Sequence, residues 1–209
     1  GGRPREQVPA SSLGYLPEER GLYVKMKVGE LLRFFGRLRG LSAGDASRRA
    51  TEGLRRLGLE KWENNRLDEL SKGMQQKIQL LVAIQHRPRV AILDEPFSGL
   101  DPVNVELFME VLDEAIAQGT TVVLSTHQME QVEKLCQSIA LIHQGRVVLR
   151  GDVGEIRKEY GTRAVKVEFS DGAELTETAF ADLSESTALL PNEARFFLRP
   201  EAHSGKILK

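Results

Sequence analysis

The chain has 209 residues, 41% hydrophobic and 28% charged, which suits one α/β domain with a small appendage. Its 29 basic and 30 acidic side chains leave a formal charge of −1, so no global electrostatic pull towards nucleic acid is expected. One cysteine, Cys136, excludes an internal disulfide framework, and no apolar run reaches the ~20 residues that cross a bilayer.

In chain order, "SLGYLPEERGLY" reads as a short strand running into a loop. "VGELLRFFGRLRGL" places Val28, Leu31, Leu32, Phe35 and Leu38 at helical intervals, an amphipathic helix. Ser42 is placed to cap the next helix, which Gly58 ends. Ser71 opens a helix carrying Met74, Ile78, Leu81, Val82 and Gln85 on successive turns, stopping before Pro88. Val90 to Leu93 are too few for a helix and too apolar for an exposed strand, so they predict a buried strand of a parallel sheet. Asp101 and Pro102 supply a cap and a first helical residue for a helix through Ile116, terminated by Gly119. "TTVVLST" is the next expected buried strand, and "SIALIHQGRVVLRGD" predicts two short strands joined at Gln144-Gly145. Strands alternating with helices argue for parallel β with helical crossovers. Cys136 lies between helix and strand, where a small core filler fits.

Beyond Gly151 the character changes. "VKVEF" alternates, Asp171-Gly172 is a two-residue hairpin signal, and "ARFFL" offers a further strand, together a small separate α+β unit. The chain opens on Gly1 rather than Met and closes on "SGKILK" without a stop signal, so both ends are expected to be cut.

The chemistry gathers where "VAILDEPFSGLDP" runs from an apolar strand into Asp94 and Glu95. Carboxylates at the carboxyl edge of a parallel sheet lie where such sheets bind ligands. The first can hold Mg²⁺ through water and the second can polarise an attacking water in phosphoryl transfer. A plain strand-to-turn junction with exposed acids is the bland alternative. Upstream, "LSKGMQQK" offers the Ser71 hydroxyl, close backbone approach at Gly73 and the free N–H groups of a helix start, an anion site or an ordinary Ser-capped helix. Downstream, His127 follows a strand directly and could reach a terminal phosphate from the same sheet edge. His86, His143 and His203 have no such setting.

In order and spacing these segments resemble the ATP-binding subunit of ABC transporters. "LSKGMQQK" resembles the signature motif, "VAILDEP" the Walker B strand, "SGLD" the D-loop, "STHQMEQVEKLC" the switch-histidine segment and "GYLPEERGLY" the Q-loop region. The match covers roughly Leu13 to Asp152, and the unit that follows is similar to the C-terminal extension of exporter-type ATPases. The resemblance implies a partial ABC-type nucleotide-binding domain over 1–151, with a helical subdomain at 27–88 and a small α+β extension at 152–209. It implies that Asp94 supports Mg²⁺, Glu95 activates water and His127 contacts the γ-phosphate of ATP. Ser71, Gly73 and Gln75 would clasp ATP bound to the opposite subunit, with Asp101 linking the two sites. Tyr23 to Leu32 would border the groove that receives a membrane permease. Three positions depart from the pattern: Lys72 replaces a glycine, Met74 the signature glutamine, and Glu18 the Q-loop glutamine. Glu18 therefore places a carboxylate on the metal side without the usual role.

No GxxxxGK[ST] phosphate cradle occurs in the chain. Charge-assisted hydrogen bonds contribute about 1.5–3 kcal/mol each, so losing several should weaken nucleotide binding over roughly a thousandfold. The expectation is an ATP-hydrolysing export subunit that pairs as a homo- or heterodimer and works with a separate permease at the inner face of the cell membrane. The present chain alone is expected to be inactive, with no nucleic-acid partner. The other readings are a degenerate module lending its signature helix to a partner's ATP, and a soluble ABC ATPase acting on ribosomes or DNA. Against the first stand Asp94, Glu95 and His127, which a pure binding module does not need. Against the second stand the near-neutral charge and the absence of a second cassette.

Overall fold

The computed structural model describes residues 9–19, 21–160, 164–168, 182, 184–190 and 193–199. The chain divides into two compact units between Leu135 and Cys136. In the first, β1 (Leu13–Leu16) is followed by α1 (Val28–Leu38), α2 (Ala43–Arg56) and α3 (Lys72–Ile84). Then come β2 (Val90–Asp94), α4 (Pro102–Ala117), β3 (Thr121–Ser125) and α5 (Met129–Leu135). The strands form a parallel sheet in the order β1-β2-β3, with Leu16 opposite Leu93 and Leu93 opposite Leu124.

Helices α2, α3 and α4 start where side-chain oxygens satisfy free N–H groups. Ser42 Oγ accepts from the Asp45 N–H at 3.0 Å, Ser71 Oγ from the Met74 N–H at 3.3 Å, and Asp101 Oδ1 from the Asn104 N–H at 3.0 Å. Gly58 and Gly119 follow two of the helix ends with φ of +66° and +95°, the left-handed conformation that glycine adopts freely. Leu31 and Leu32 of α1, Ala46, Ala50 and Leu54 of α2, and Ile78 and Leu80 of α3 are buried, the core of the helical region. Gln85 at the end of α3 donates its amide N–H to the Leu32 carbonyl at 2.9 Å, holding α1 and α3 together.

Helix α3 lies directly on β1. A Cβ at Gly14 would sit 2.1 Å from the Ala83 carbonyl oxygen, so only glycine lets the two backbones approach this closely. Leu16, Ala91 and Leu93 point into this contact and are fully buried.

The opposite face corrects one expectation. Val90 to Leu93 and "TTVVLST" read as fully buried strands, yet Tyr15, Ile92 and Val123 are 49%, 40% and 53% exposed. These three stand opposite one another in register, a row across the sheet. Strand side chains alternate between faces, and α3 and α4 supply cover for only one of them.

The second unit contains an antiparallel pair, β4 (Ser138–His143) with β5 (Arg146–Asp152), turning at Gln144 and Gly145, both at positive φ. Helix α6 (Val153–Tyr160) follows. An antiparallel sheet of β6 (Ala164–Glu168), β7 (Ser184–Leu190) and β8 (Glu193–Leu198) has the order β6-β8-β7. The β4–β5 pair belongs to this unit, so the compact division falls earlier than the change of composition at Gly151. Cys136 is half-buried, and burial pushes its thiol up. The hairpin signal at Asp171-Gly172, His203, Lys206 and both chain ends lie outside the described residues.

Candidate active site

Parallel pairing brings the carboxyl ends of β1, β2 and β3 to one edge of the sheet. Glu18 lies just beyond β1 and is exposed. Asp94 ends β2, Glu95 follows it, and His127 follows β3. Thus the edge gathers Glu18, Asp94, Glu95 and His127 from segments far apart in sequence.

Asp94 pairs in register with Ser125, whose hydroxyl donates to the Asp94 carboxylate. The next residue turns sharply. Glu95 has φ of +43°, a left-handed conformation that costs a non-glycine residue roughly 1–2 kcal/mol. Its N–H donates to the Ser125 carbonyl at 3.0 Å, and its own carbonyl accepts from the Ser98 N–H at 3.1 Å. These bonds hold the strained residue in a tight turn and direct its carboxylate towards the end of β3.

There the carboxylate is clasped. Glu95 Oε1 accepts the His127 backbone N–H at 3.1 Å and lies 2.9 Å from the ring Nδ1. The Thr126 hydroxyl donates to Oε2 at 3.3 Å and accepts the Gln128 N–H at 3.1 Å. The Glu95 side chain is 18% exposed and that of His127 78%, so a largely sheltered carboxylate supports an imidazole at the surface. Such a pair can accept a proton from a water at the carboxylate, while the outer ring nitrogen meets an external group.

Ser71, Gly73, Gln75 and Asp101 belong to a neighbouring surface. Ser71 is exposed at the start of α3, and the Gln75 amide donates back to the Leu70 carbonyl at 2.8 Å. A Cβ at Gly73 would stand 3.5 Å from Leu100 Cδ2 and 3.6 Å from the Gly99 carbonyl oxygen, so the helix start rests on the turn that leads to Asp101. The bonds from the Asn104 N–H and side-chain amide hold the Asp101 carboxyl below its ordinary range. No hydrogen bond or ion pair joins Ser71 to Glu95 or His127 among the described residues.

The residues fit a metal-bound triphosphate in part. Among the described residues no group of three or more His, Cys, Asp or Glu side chains could hold a metal ion by itself. Asp94 and Glu18 carry carboxylate oxygens of the kind that would ligate Mg²⁺ if phosphates and water completed its shell.

The sequence did not point to Ser125 or Thr126 as part of this arrangement. Hydroxyls beside a histidine are common, and only the register of β2 with β3 turns these two onto the carboxylates.

At the surface beside α1, Tyr23 stacks on Phe35 at a centroid distance of 6.1 Å, and Phe34 meets both rings edge-on. Of the stretch Tyr23 to Leu32, Tyr23 and Val24 are exposed, whereas Val28, Leu31 and Leu32 are core.

A family model described as "AAA domain, putative AbiEii toxin, Type IV TA system" matches residues 30–133. The Bacillus subtilis (strain 168) "Uncharacterized ABC transporter ATP-binding protein YhaQ" is 43% identical over 170 residues, covering 81% of this chain and 57% of the relative. A solved structure described as "Structure of ATP binding subunit of ABC transporter" is 35% identical with a TM-score of 0.67, covering 72% of this chain and 63% of that one. The dimeric cassette MJ0796, solved in a post-hydrolysis state bound to ADP and Pi, shares the fold at a TM-score of 0.63 and 23% identity, covering 69% of this chain and 64% of that one. The chain spans less than two thirds of the curated relatives it matches, 57% of one and 58% of another. The ordered motifs, the parallel sheet with its helical insertion and these similarities place the chain in the family of ABC transporter ATP-binding proteins.

Proposed function

We propose that this chain is part of an ATPase subunit that drives export through a separate membrane permease. The observation that carries the reading is the clasp of Glu95 by Thr126 and His127 at the edge where Asp94 ends β2. In this reading Glu95 takes a proton from water, the His127 ring meets the γ-phosphate, and Asp94 with Glu18 stands on the Mg²⁺ side. Bound Mg²⁺ would offset the charge of the triphosphate. Ser71, Gly73 and Gln75 would face ATP held by a second ATPase subunit, whether a copy or a relative, with Asp101 between the sites. The aromatic surface at Tyr23 and Phe34 suits the permease contact, at the inner face of the membrane; among the described residues no helix is long and apolar enough to cross it. Export rather than import is favoured by the small unit after Gly151.

The 209-residue chain by itself is proposed to lack turnover, because it contains no lysine-bearing phosphate loop. The test uses the full-length gene product alongside this chain. The full-length protein should hydrolyse ATP, and Glu95→Gln should lower kcat by roughly 10²-fold or more while nucleotide binding persists. Unchanged turnover in the variant would favour a binding module, and Glu95-dependent turnover by the 209-residue chain would defeat the claim that it is inactive.

A further inference from the structure

Gln76 is 3% exposed on α3, and its amide N–H donates to the Pro96 carbonyl at 3.0 Å. Pro96 follows Glu95 and has no N–H of its own, so this carbonyl is its whole backbone hydrogen-bonding capacity. Pro96 is itself buried. Without Gln76 the carbonyl would be a buried acceptor lacking its partner, and the turn would have to shift towards water to satisfy it. The neighbouring side chains on α3 are committed elsewhere. Gln75 donates to the Leu70 carbonyl and Lys77 to the Leu57 carbonyl at 3.3 Å. Gln76 reaches the turn.

We propose that Gln76 is a positioning residue for Glu95: its buried bond to Pro96 fixes the left-handed turn that delivers the carboxylate to Thr126 and His127. Two further contacts make the brace specific. The start of α3 rests on Gly99 and Leu100 through Gly73, so the helix supports the far end of the same segment. Phe97, next in the turn, is 2% exposed and packs edge-on against Phe108 at 5.5 Å, which leaves the Glu95–Pro96 peptide little room to drift. The helix whose N-terminus carries Ser71 is thereby tied to the carboxylate of its own chain. The inference rests on the proposed role of Glu95 in activating water.

The test uses the full-length protein with Gln76→Met, which keeps length and removes the donor, and Gln76→Glu, which sets a carboxylate against a carbonyl. Gln76→Met should lower kcat about 10- to 100-fold, with KM for ATP within about twofold and the thermal midpoint lowered by only about several degrees. In Gln76→Glu, the ratio of kcat to the parent's should rise from about pH 8 to about pH 6, because the protonated acid regains an O–H donor. A purely structural role would instead lower the thermal midpoint while leaving kcat per folded molecule intact. That result, a loss confined to KM, or a flat pH ratio in Gln76→Glu would overturn the proposal. If Gln76→Met does not fold, the pH recovery of Gln76→Glu decides alone. A parent protein without ATPase activity would overturn the functional reading and this inference together, whereas an active parent with an indifferent Gln76 removes only the latter.

Discussion

His86 lies 7% exposed at the foot of the sheet, where its Nε2–H donates to the Leu13 carbonyl at 3.1 Å. Burial holds this imidazole below its ordinary value, and the positive charges of Arg39 and Arg49 act in the same direction. The unfolded chain therefore takes up the proton first, near pH ~6.5, and stability contributed by the neutral ring is lost as pH falls from there through the folded value. The urea midpoint should accordingly drop between about pH 7 and about pH 5. His86→Gln, which keeps a donor for the Leu13 carbonyl without the titrating ring, should flatten that slope. An unchanged slope in the variant would assign the acid response to other groups. Glu95 illustrates the opposite use of a single residue, since its positive φ is a local cost that the turn bonds offset so that the carboxylate reaches β3.

At the scale of elements, the contact between α3 and β1 determines how close the signature helix lies to the sheet. Gly14 has no spare volume against the Ala83 carbonyl, and a backbone oxygen cannot rotate away as a side chain would. Gly14→Ala should destabilise the protein by about 1–3 kcal/mol or more, measured as a shift of the denaturation midpoint at constant m. A neutral effect would mean that α3 can slide on the strand, and the brace from Gln76 to Pro96 would lose its fixed base. The capping oxygens of Ser42, Ser71 and Asp101 were legible because each depends on a side chain reaching a donor only a few residues ahead. Strand β7 was not legible. "SESTALL" has no clear alternation, and it forms a strand by pairing along β8.

For the molecule as a whole, the row Tyr15, Ile92 and Val123 leaves an apolar sheet face in water, with β1 and β3 each paired on one side among the described residues. Such surfaces bind hydrophobic dyes and promote self-association. The purified chain should show both, and Ile92→Thr with Val123→Thr should reduce dye fluorescence by roughly half while the buried face keeps the fold. No change would place the sticky surface elsewhere, the exposed Ile142 and Val147 of the β4–β5 pair being the next place to test.

By itself the sequence determined helices α1 to α4, the caps at Ser42, Ser71 and Asp101, the alternation of strands with helices and the residues at the ends of β2 and β3, since periodicity, capping and motif spacing are local properties. Only the tertiary structure decided which atoms meet: the Thr126 hydroxyl with Glu95, the Ser125 hydroxyl with Asp94, and the Gln76 amide with the Pro96 carbonyl. It also decided that the central strands are sheltered on one face, because burial depends on which elements pack against a strand and not on its own apolar residues. Contacts between segments far apart in sequence follow from register and helix placement, which no single stretch of residues encodes.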